Sequence, residues 1–382
     1  MKSLRDLFLL DPEVIFLNHG SFGATPLPVF EHYQTWQREL ERQPVKFLGR
    51  DINAHMAAAR QALASYLGAD AQDVVYFPNP TTAGNVIARS LRLQPGDEIL
   101  STDHAYGAMD RTWRFVCKKS EARYIRRPIP LPLTIPEAFV DVFWQGVTPR
   151  TRVIFLDHLT SPTALTFPLE PVITRARQAG IMTIIDGAHA PGQIPLNLTE
   201  LGADFYIGAC HKWLCAPKGS AFLYARRERQ PLLDPLVVSW GYEEASYDSG
   251  HPFINHHEWQ GTRDMAAFLA TPFAIRFQAQ HDWDTVRARC RELAAETRAR
   301  IHALTGLPYL CPDEPYWFAQ FFTARLPDRV DVDQLKTQLY DQYRIEVPAH
   351  RWNDIPLIRV SFQGYNTQED ADALLHALEN LL

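Results

Sequence analysis

The chain has 382 residues, a length typical of one large domain with one or two smaller units. Its composition, 46% hydrophobic and 21% charged, excludes collagen-like, low-complexity and disordered proteins. A net charge of −6 without any polybasic run disfavours nucleic-acid binding.

The five cysteines contain no Cys-x-x-Cys pair, which predicts neither a disulfide framework nor a thiolate zinc site and favours a reducing compartment. The only apolar stretch near the N-terminus is four residues long, and no later run approaches the length of a membrane span. We therefore expect a cytoplasmic protein without membrane partners.

The first predicted elements are a short strand in VIFLNHGSFGATPLP, a Gly/Pro-rich loop, and a helix over 29–42. Apolar residues at helical spacing predict an amphipathic helix over 51–67, with Gly68 at its C′ position. Short apolar runs then alternate with helix-length segments. The runs that we predict as strands are 73–78, 97–101, 123–125, 152–157, 182–186, 204–208 and 221–224.

Strands without polar alternation, separated by helices, indicate a mostly parallel sheet covered on both faces, and hence an α/β fold. Beyond residue 264 the pattern changes to two long helices followed by a smaller α/β unit. The elements predicted there are helices 265–280 and 283–304, strand 317–325, helix 331–343, strand 357–361 and helix 367–382. We expect an N-terminal segment (1–30), a large domain (31–264), and linking helices with a small C-terminal domain (265–382).

Ligands of open α/β sheets bind at the carboxyl ends of the strands, so the residues that follow each strand are informative. Polar turns follow five of the predicted strands: NPTTAGN, TDHAYGA, HLTSPTA, GAHAPGQ and ACHKW. In the first, helix N–H groups and the Thr81 and Thr82 hydroxyls suit a phosphate, although simple N-capping by either threonine explains the same pattern. Five polar strand exits in one sheet indicate a single shared pocket.

Two charged residues of these turns stand out. Asp186 closes the apolar run IMTIID, where a carboxylate needs a cationic or donor partner, or backbone hydrogen bonds within the core. Lys212 lies between His211 and the apolar Trp213-Leu214 pair. Desolvation there would lower the pKa of its amine and make it a nucleophile able to form a Schiff base. The simpler interpretation is a lysine in a surface loop. Pyridoxal 5′-phosphate needs such a lysine, an acid for its ring nitrogen, an aromatic face and a phosphate cradle.

The motifs IIDGAHAPGQ, DFYIGACHKW, GDEILSTDHAYGA, NPTTAGN and EWQGTRD together resemble the class V aminotransferase family of fold type I pyridoxal-phosphate enzymes. The resemblance extends from about residue 14 to the C-terminus. Within the family, FLNHGSFGATP, DHLTSPTAL and CHKWL most resemble the isopenicillin N epimerase-like branch, which also contains cysteine desulfhydrases and sulfoxide lyases.

The resemblance implies that Lys212 forms the internal aldimine and acts as base at the substrate Cα, that Asp186 pairs with the pyridinium nitrogen, and that His189 faces the phenolic oxygen. It also implies a homodimer with shared active sites. The remaining implied contacts are ring stacking by Tyr106, phosphate binding by Thr81, Thr82, His211 and the partner subunit's Thr262, substrate carboxylate binding by Arg359, and a substrate-side lining of Asn18 and His19.

The expected activity is isopenicillin N epimerase-like chemistry on an amino acid, through an external aldimine and a Cα carbanion. A Cβ–S lyase and an aminotransferase are the alternatives, because all three begin with the same proton removal. Epimerisation needs a second proton donor, for which His19 and His104 are candidates. The segment VPAHRWNDIPLIRVSF lacks the cysteine that cysteine desulfurases carry before the carboxylate-binding arginine, which disfavours persulfide chemistry.

Two alternatives of other classes stay open: a cofactor-less scaffold with the same fold, and a metal-dependent hydrolase that uses His189 and Asp186. An intact Lys212 and Asp186 argue against the scaffold. The run His256, His257 and Glu258 looks like a metal motif, but on an extended segment neighbouring side chains point to opposite sides, so we expect no metal site.

Overall fold

The computed structural model describes residues 4–243 and 249–382. The N-terminal part is mostly helical, and its longest apolar helix ends as the sequence predicts, with Gly68 in the left-handed conformation (φ 62°). The elements are β1 (Ile15–Phe16), α1 (His19–Phe22), α2 (Leu27–Arg42), α3 (Pro44–Lys46) and α4 (Ile52–Leu67).

A seven-stranded sheet follows, and all seven strands predicted for the large unit are present. In chain order its elements are β2 (Val74–Phe77), α5 (Pro80–Ser90), β3 (Glu98–Thr102), α6 (Gly107–Ser120), β4 (Arg123–Arg127), α7 (Pro136–Trp144), β5 (Thr151–Asp157), α8 (Leu169–Gln178), β6 (Met182–Asp186), α9 (Leu198–Leu201), β7 (Phe205–Ala209) and β8 (Ala221–Ala225). The spatial order is β2-β8-β7-β6-β5-β3-β4. β8 runs antiparallel to the other six strands of this sheet, which all run parallel to one another, and this confirms the predicted mostly parallel sheet.

Helices cover both faces of this sheet, which explains why its strands are apolar without alternation. Val75 and Phe77 of β2 pack into the cluster formed with α5 and α6, whereas Val74 and Tyr76 face the larger cluster that contains α4. All four side chains are fully buried. The sheet is therefore packed on both faces and positions the residues at its carboxyl edge.

The C-terminal part contains a second, antiparallel sheet. Its elements, with the helices that precede them, are α10 (Pro252–Glu258), α11 (Ala266–Gln280), α12 (Trp283–Thr305), β9 (Phe321–Arg325), α13 (Val332–Tyr343), β10 (Ile345–Glu346), β11 (Ala349–Trp352), β12 (Ile355–Ser361) and α14 (Gln368–Leu381). The sheet order is β11-β12-β9. β1 pairs in parallel with β10, so the N-terminal segment is tied to the C-terminal unit.

Several sequence expectations need correction here. The strand expected over 317–325 begins only at Phe321, and α7, α10, β10 and β11 were not predicted. The segment holding His256, His257 and Glu258 is the helix α10, not an extended chain. None of the helices in the part of the chain that the structure describes is long and apolar enough to cross a bilayer.

Candidate active site

Three neighbouring strands bring the two acids and the lysine to one edge of the sheet. Asp157 ends β5 and Asp186 ends β6, and the two residues lie directly opposite each other in the parallel register. Lys212 lies in the loop after β7, the next strand in the sheet. The polar residues that follow these strands in the sequence therefore lie together at the carboxyl edge of the sheet.

The Lys212 amine lies inside this cleft. Its Nζ is 3.2 Å from Nε2 of His189 and 6.0 Å from the ring centre of Tyr106. Burial, aided by the charge of Arg359, lowers the pKa of the amine from 10.5 to about 8, while Asp186 and Asp157 oppose that shift. The amine is therefore available in its neutral, nucleophilic form close to neutral pH.

Two glycines let the backbone close tightly around the lysine loop. Gly23 adopts φ 71°, and a Cβ there would lie 2.1 Å from the His211 carbonyl oxygen and 2.9 Å from the Cα of Lys212. Gly192 adopts φ 88°, and a Cβ there would lie 2.1 Å from the carbonyl oxygen of Trp213. Only glycine fits at such positions. The N-terminal segment thus lies directly against the lysine loop.

Asp186 is 3% exposed, and its Oδ1 accepts a hydrogen bond of 2.9 Å from the backbone N–H of Ala188. Burial raises the pKa of this carboxyl, whereas the Ala188 N–H and the Lys212 charge lower it. A buried acid stabilised by one N–H and one amine suits a cationic partner in the cleft.

The tautomer of His189 follows from its neighbours. Trp213 Nε1–H donates to His189 Nδ1 at 3.1 Å, and an indole nitrogen can only donate, so Nδ1 carries no proton. Burial and the charges of Lys212 and Arg359 hold the pKa of His189 well below its usual value, so the ring is neutral. Its single proton is therefore on Nε2, which points at the Lys212 amine. The ring also stacks on Phe321, with centroids 5.0 Å apart.

The helix α5 begins at the carboxyl end of β2, as the phosphate-cradle hypothesis requires. Its cap is Asn79, whose Oδ1 accepts from the N–H (2.8 Å) and the hydroxyl (3.1 Å) of Thr82. The expectation of a cap by Thr81 or Thr82 is wrong, because Asn79 takes that role. Thr81 lies in the same first helical turn, half-buried.

His211 precedes the lysine and is anchored through one nitrogen. Its Nδ1–H donates to the Ser220 carbonyl at 2.9 Å, which leaves Nε2 as the unprotonated nitrogen of the neutral ring. Burial lowers the pKa of His211 to about 4. The imidazole becomes a donor from Nε2 only when it gains a proton, for which a nearby anion supplies the driving force.

Arg359 of β12 is 6% exposed and held at both ends of its fork. One nitrogen donates to the carbonyl and hydroxyl of Ser161 (2.6 and 3.2 Å), and the other donates to the Ser21 hydroxyl at 2.9 Å. Ser21 in turn donates to Asn18 Oδ1 at 2.5 Å, and Asn18 Nδ2 donates to Glu346 at 2.9 Å. Asn18 thus acts on the guanidinium through Ser21.

The structure places His19 and His104 differently from the sequence expectation. His19 is fully buried, with Nδ1 3.0 Å from the Tyr365 hydroxyl and Nε2 3.1 Å from the Lys212 carbonyl. His104 is also fully buried, 2.7 Å from the Thr163 hydroxyl. Burial lowers the pKa of His19 to about 3 and that of His104 to about 4. Neither imidazole lines the cavity that Arg359 and Tyr106 share with Ser161, His350 and Trp352 among the described residues.

Thr262 is exposed in the loop between α10 and α11. Cys210 and Cys215 are completely buried beside the lysine, in agreement with a packing role, and burial raises the pKa of both thiols to about 12. Within residues 4–243 and 249–382, His, Cys, Asp and Glu side chains form no group of three suited to a metal ion.

These residues supply the groups that pyridoxal phosphate needs for binding and for imine formation. The cleft offers a desolvated amine (Lys212), a buried acid (Asp186), a ring N–H donor (His189), an aromatic face (Tyr106) and a helix start (α5). A seven-stranded, mostly parallel sheet with this set at its carboxyl edge defines the fold type I class of pyridoxal-phosphate enzymes.

The chain belongs to the class V aminotransferase family, whose model matches residues 24–374, and it is an enzyme of that family. It is 38% identical to an isopenicillin N epimerase of Amycolatopsis lactamdurans over 99% of this chain and 97% of that protein. It is 27% identical to a probable chloroplastic L-cysteine desulfhydrase of Arabidopsis thaliana, covering 97% and 84% of the two chains. Among solved structures, a cysteine desulfurase of Escherichia coli matches with a TM-score of 0.82 at 25% identity, covering 99% and 97%.

Sequence reasoning missed three residues of the site. Asp157 closes the apolar run 152–157 just as Asp186 closes its own run, so the same signal was available. Trp213 and Ser21 carry no comparable signal, because their roles depend on contacts with His189 and Arg359 that only the fold creates.

Proposed function

We propose that the protein catalyses epimerisation at the Cα of an amino acid, with pyridoxal phosphate as its cofactor. The observation that carries this proposal is the Lys212 amine, whose pKa is lowered to about 8 by burial and by the Arg359 charge, and whose Nζ lies 6.0 Å from the ring of Tyr106, a residue that lines a cavity together with Arg359. The full-length similarity to isopenicillin N epimerases at 37–38% identity favours this reaction over others of the family.

The cofactor supplies an aldehyde for imine formation and a ring that accepts electron density from Cα. Asp186, His189, Tyr106 and the first turn of α5 are the groups that would hold it. Lys212, once neutral, removes the Cα proton, because a base of pKa about 8 is matched to neutral pH. His189 does not compete for that proton, because its pKa lies well below the usual value.

We propose that Arg359 binds the substrate α-carboxylate. Its fork is held by Ser161 and Ser21, its side chain is buried, and its charge is not paired with a carboxylate in any ion pair of the described residues. A buried guanidinium that meets only neutral oxygens favours an incoming anion, and its planar fork matches a carboxylate.

Inversion needs a second proton carrier on the face of the substrate opposite to the one from which Lys212 removes the proton. Tyr106 and His350 are titratable side chains that line the cavity with Arg359. His350 Nε2–H donates to the Pro162 carbonyl at 2.9 Å, which leaves Nδ1 free of a proton in the neutral ring. These two residues replace His19 and His104 as our candidates.

A Cβ–S lyase is the second candidate function, supported by desulfhydrase relatives at 26–27% identity over nearly the whole chain. Elimination would use the same Lys212 step. The persulfide route of desulfurases lacks support, because all five cysteines are buried. Elimination of sulfide needs no cysteine of the enzyme, so this candidate depends only on the substrate.

The deciding experiment is incubation of the purified, cofactor-loaded protein with amino acids in D₂O. Proton NMR follows loss of the Cα–H signal, chiral chromatography follows the second enantiomer, and pyruvate and ammonia are assayed in parallel. Deuterium incorporation with inversion supports epimerisation, whereas pyruvate and ammonia would replace it with lyase activity. Lys212→Ala should abolish exchange, and Lys118→Ala, an exposed lysine on α6, is the matched control.

Tyr106→Phe and His350→Gln test the second proton carrier. We expect one of these variants to keep Cα–H exchange in the L-enantiomer while losing formation of the D-enantiomer, because Lys212 still removes the proton. Equal inversion in both variants and in their double mutant would contradict the two-group mechanism.

We further propose a homodimer in which Thr262 completes the partner subunit's site. Val238 and Trp240 are 66% and 64% exposed, and Thr262 is also exposed, which suits burial against a second copy. In mixtures of Lys212→Ala and Thr262→Asp subunits, hybrid dimers carry one intact site and should recover activity. No recovery on mixing would place Thr262 in its own subunit's site or outside it.

A further inference from the structure

The sheet edge carries two buried carboxyls where the proposed chemistry uses one. Asp157 and Asp186 are paired in register on adjacent parallel strands, and they are 2% and 3% exposed. Neighbouring strands lie about 4.8 Å apart, so two negative charges here would repel strongly in a desolvated environment. One nearby amine, Lys212, cannot neutralise both.

The two carboxyls have unequal surroundings. Asp186 accepts the Ala188 N–H at 2.9 Å. Asp157 accepts the Tyr106 N–H at a longer 3.3 Å, and its buried Oδ2 has no hydrogen-bond partner among the described residues. An ionised oxygen buried without a donor costs more than a neutral hydroxyl, so the pair is stabilised when Asp157 holds the proton.

The ionisable groups facing Asp157 from the elements around it support the same assignment. They are Asp186 from β6, Lys212 from the loop after β7, and Tyr124 from β4. Burial, followed by the charge of Asp186, raises the pKa of Asp157 well above its usual value, while the Tyr106 N–H and the Lys212 charge act in the opposite direction. Burial also raises the pKa of Tyr124, so that phenol is neutral and adds no charge.

We propose that Asp157 is a positioning residue that stays protonated at neutral pH, holds the backbone N–H of Tyr106, and leaves Asp186 as the ionised member of the pair. Tyr106 is the N-cap residue of α6 and its ring faces the Lys212 amine, so a shift of its backbone moves the aromatic face of the cleft. The inference rests on the proposed function only for the role of that ring; the protonation state belongs to the apoprotein.

Infrared spectra of the apoprotein test the protonation state without any cofactor. At pH 7 the carboxylic-acid C=O band, identified by its shift in D₂O, should be present in the wild type, absent in Asp157→Asn, and retained in Asp186→Asn. It is retained there because burial, and not the Asp186 charge, is the largest cause of the raised pKa of Asp157. No such band in the wild type, or its loss only in Asp186→Asn, would overturn the proposal.

A pair of variants separates the hydrogen bond from the charge. Asp157→Asn keeps a neutral acceptor for Tyr106, whereas Asp157→Leu has a similar shape without one. We expect the dissociation constant for pyridoxal phosphate to stay within about threefold in the asparagine variant and to rise about tenfold in the leucine variant, the value of one lost hydrogen bond. Equal weakening in both variants would show that the negative charge is needed, which contradicts the proposal.

The pH profile of stability gives a readout that a simple packing role would not move. Because the folded-state pKa of Asp157 is raised, its stabilising contribution is present at low pH and is lost as the pH rises through that value. Asp157→Asn apoprotein should therefore gain stability relative to the wild type toward alkaline pH; a constant difference would refute a protonated Asp157. Absence of any cofactor absorbance band would defeat the proposed function alone, since the infrared and stability results need no cofactor.

Discussion

The Lys212 amine should react with aldehydes at neutral pH far faster than an ordinary lysine. Its pKa is lowered from 10.5 to about 8 by burial and by Arg359. At pH 7 about one amine in eleven is then neutral, against about one in three thousand at the ordinary pKa, so the reactive population rises about 300-fold. The rate should climb with pH and level off above the pKa, because only the neutral amine attacks.

Stopped-flow mixing of apoprotein with pyridoxal phosphate, followed by visible absorbance from about pH 6 to 10, measures this inflection. Normalising to the same reaction of Nα-acetyl-lysine removes the ionisation of the aldehyde reagent. Arg359→Leu removes a cation and should move the inflection to higher pH, whereas Asp186→Asn removes an anion and should move it lower. An inflection near pH 10 in the wild type, or opposite shifts in the variants, would refute the electrostatic reasoning.

Three further outcomes follow from the same contacts. Lys212→Met removes a desolvated charge, so the free energy of unfolding of the apoprotein should rise by up to about 3 kcal/mol at pH 7. Urea titrations should show that this gain decreases as the pH rises from about 8 to 10.5. Arg359→Lys breaks the two-sided fork and should raise KM for amino acids about tenfold or more, with little change for the corresponding decarboxylated amine as inhibitor; equal effects on both would argue against carboxylate binding. Inorganic phosphate should raise the pKa of His211 from about 4 in the apoprotein, which NMR titration of the imidazole can detect, and an unchanged pKa would remove His211 from the phosphate site.

The central sheet could be predicted from the sequence because its strands are continuous apolar runs between turn residues. Every predicted strand of this sheet lies within two residues of the observed ends, for example 152–157 against Thr151–Asp157. The strand order could not be predicted. β8 enters antiparallel between β2 and β7, a choice made by long-range packing that leaves no periodic signal in the sequence.

Some residues of the candidate site could likewise be predicted from the sequence, and others could not. Residues at strand exits, such as Asp186 and Lys212, come together because the topology of a parallel sheet brings carboxyl ends to one edge. His19 was misplaced because its surroundings depend on distant partners: Tyr365 is 346 positions away and the Lys212 carbonyl 193 positions away. Residue type alone does not reveal whether both nitrogens of an imidazole are already bonded.

In the proposed mechanism, epimerisation and elimination both begin with proton removal by Lys212. Burial and the charges of Lys212 and Arg359 keep His189 neutral, so His189 does not take up the proton that Lys212 removes. Return of the proton from Lys212 regenerates the starting enantiomer, and inversion requires delivery on the opposite face of the substrate. Elimination requires instead that a leaving group depart from Cβ before any proton returns. In the proposed mechanism the residues at the sheet edge carry out the first proton removal, and we expect the side chains that line the cavity with Arg359, among them Tyr106 and His350, to determine the product together with the substrate.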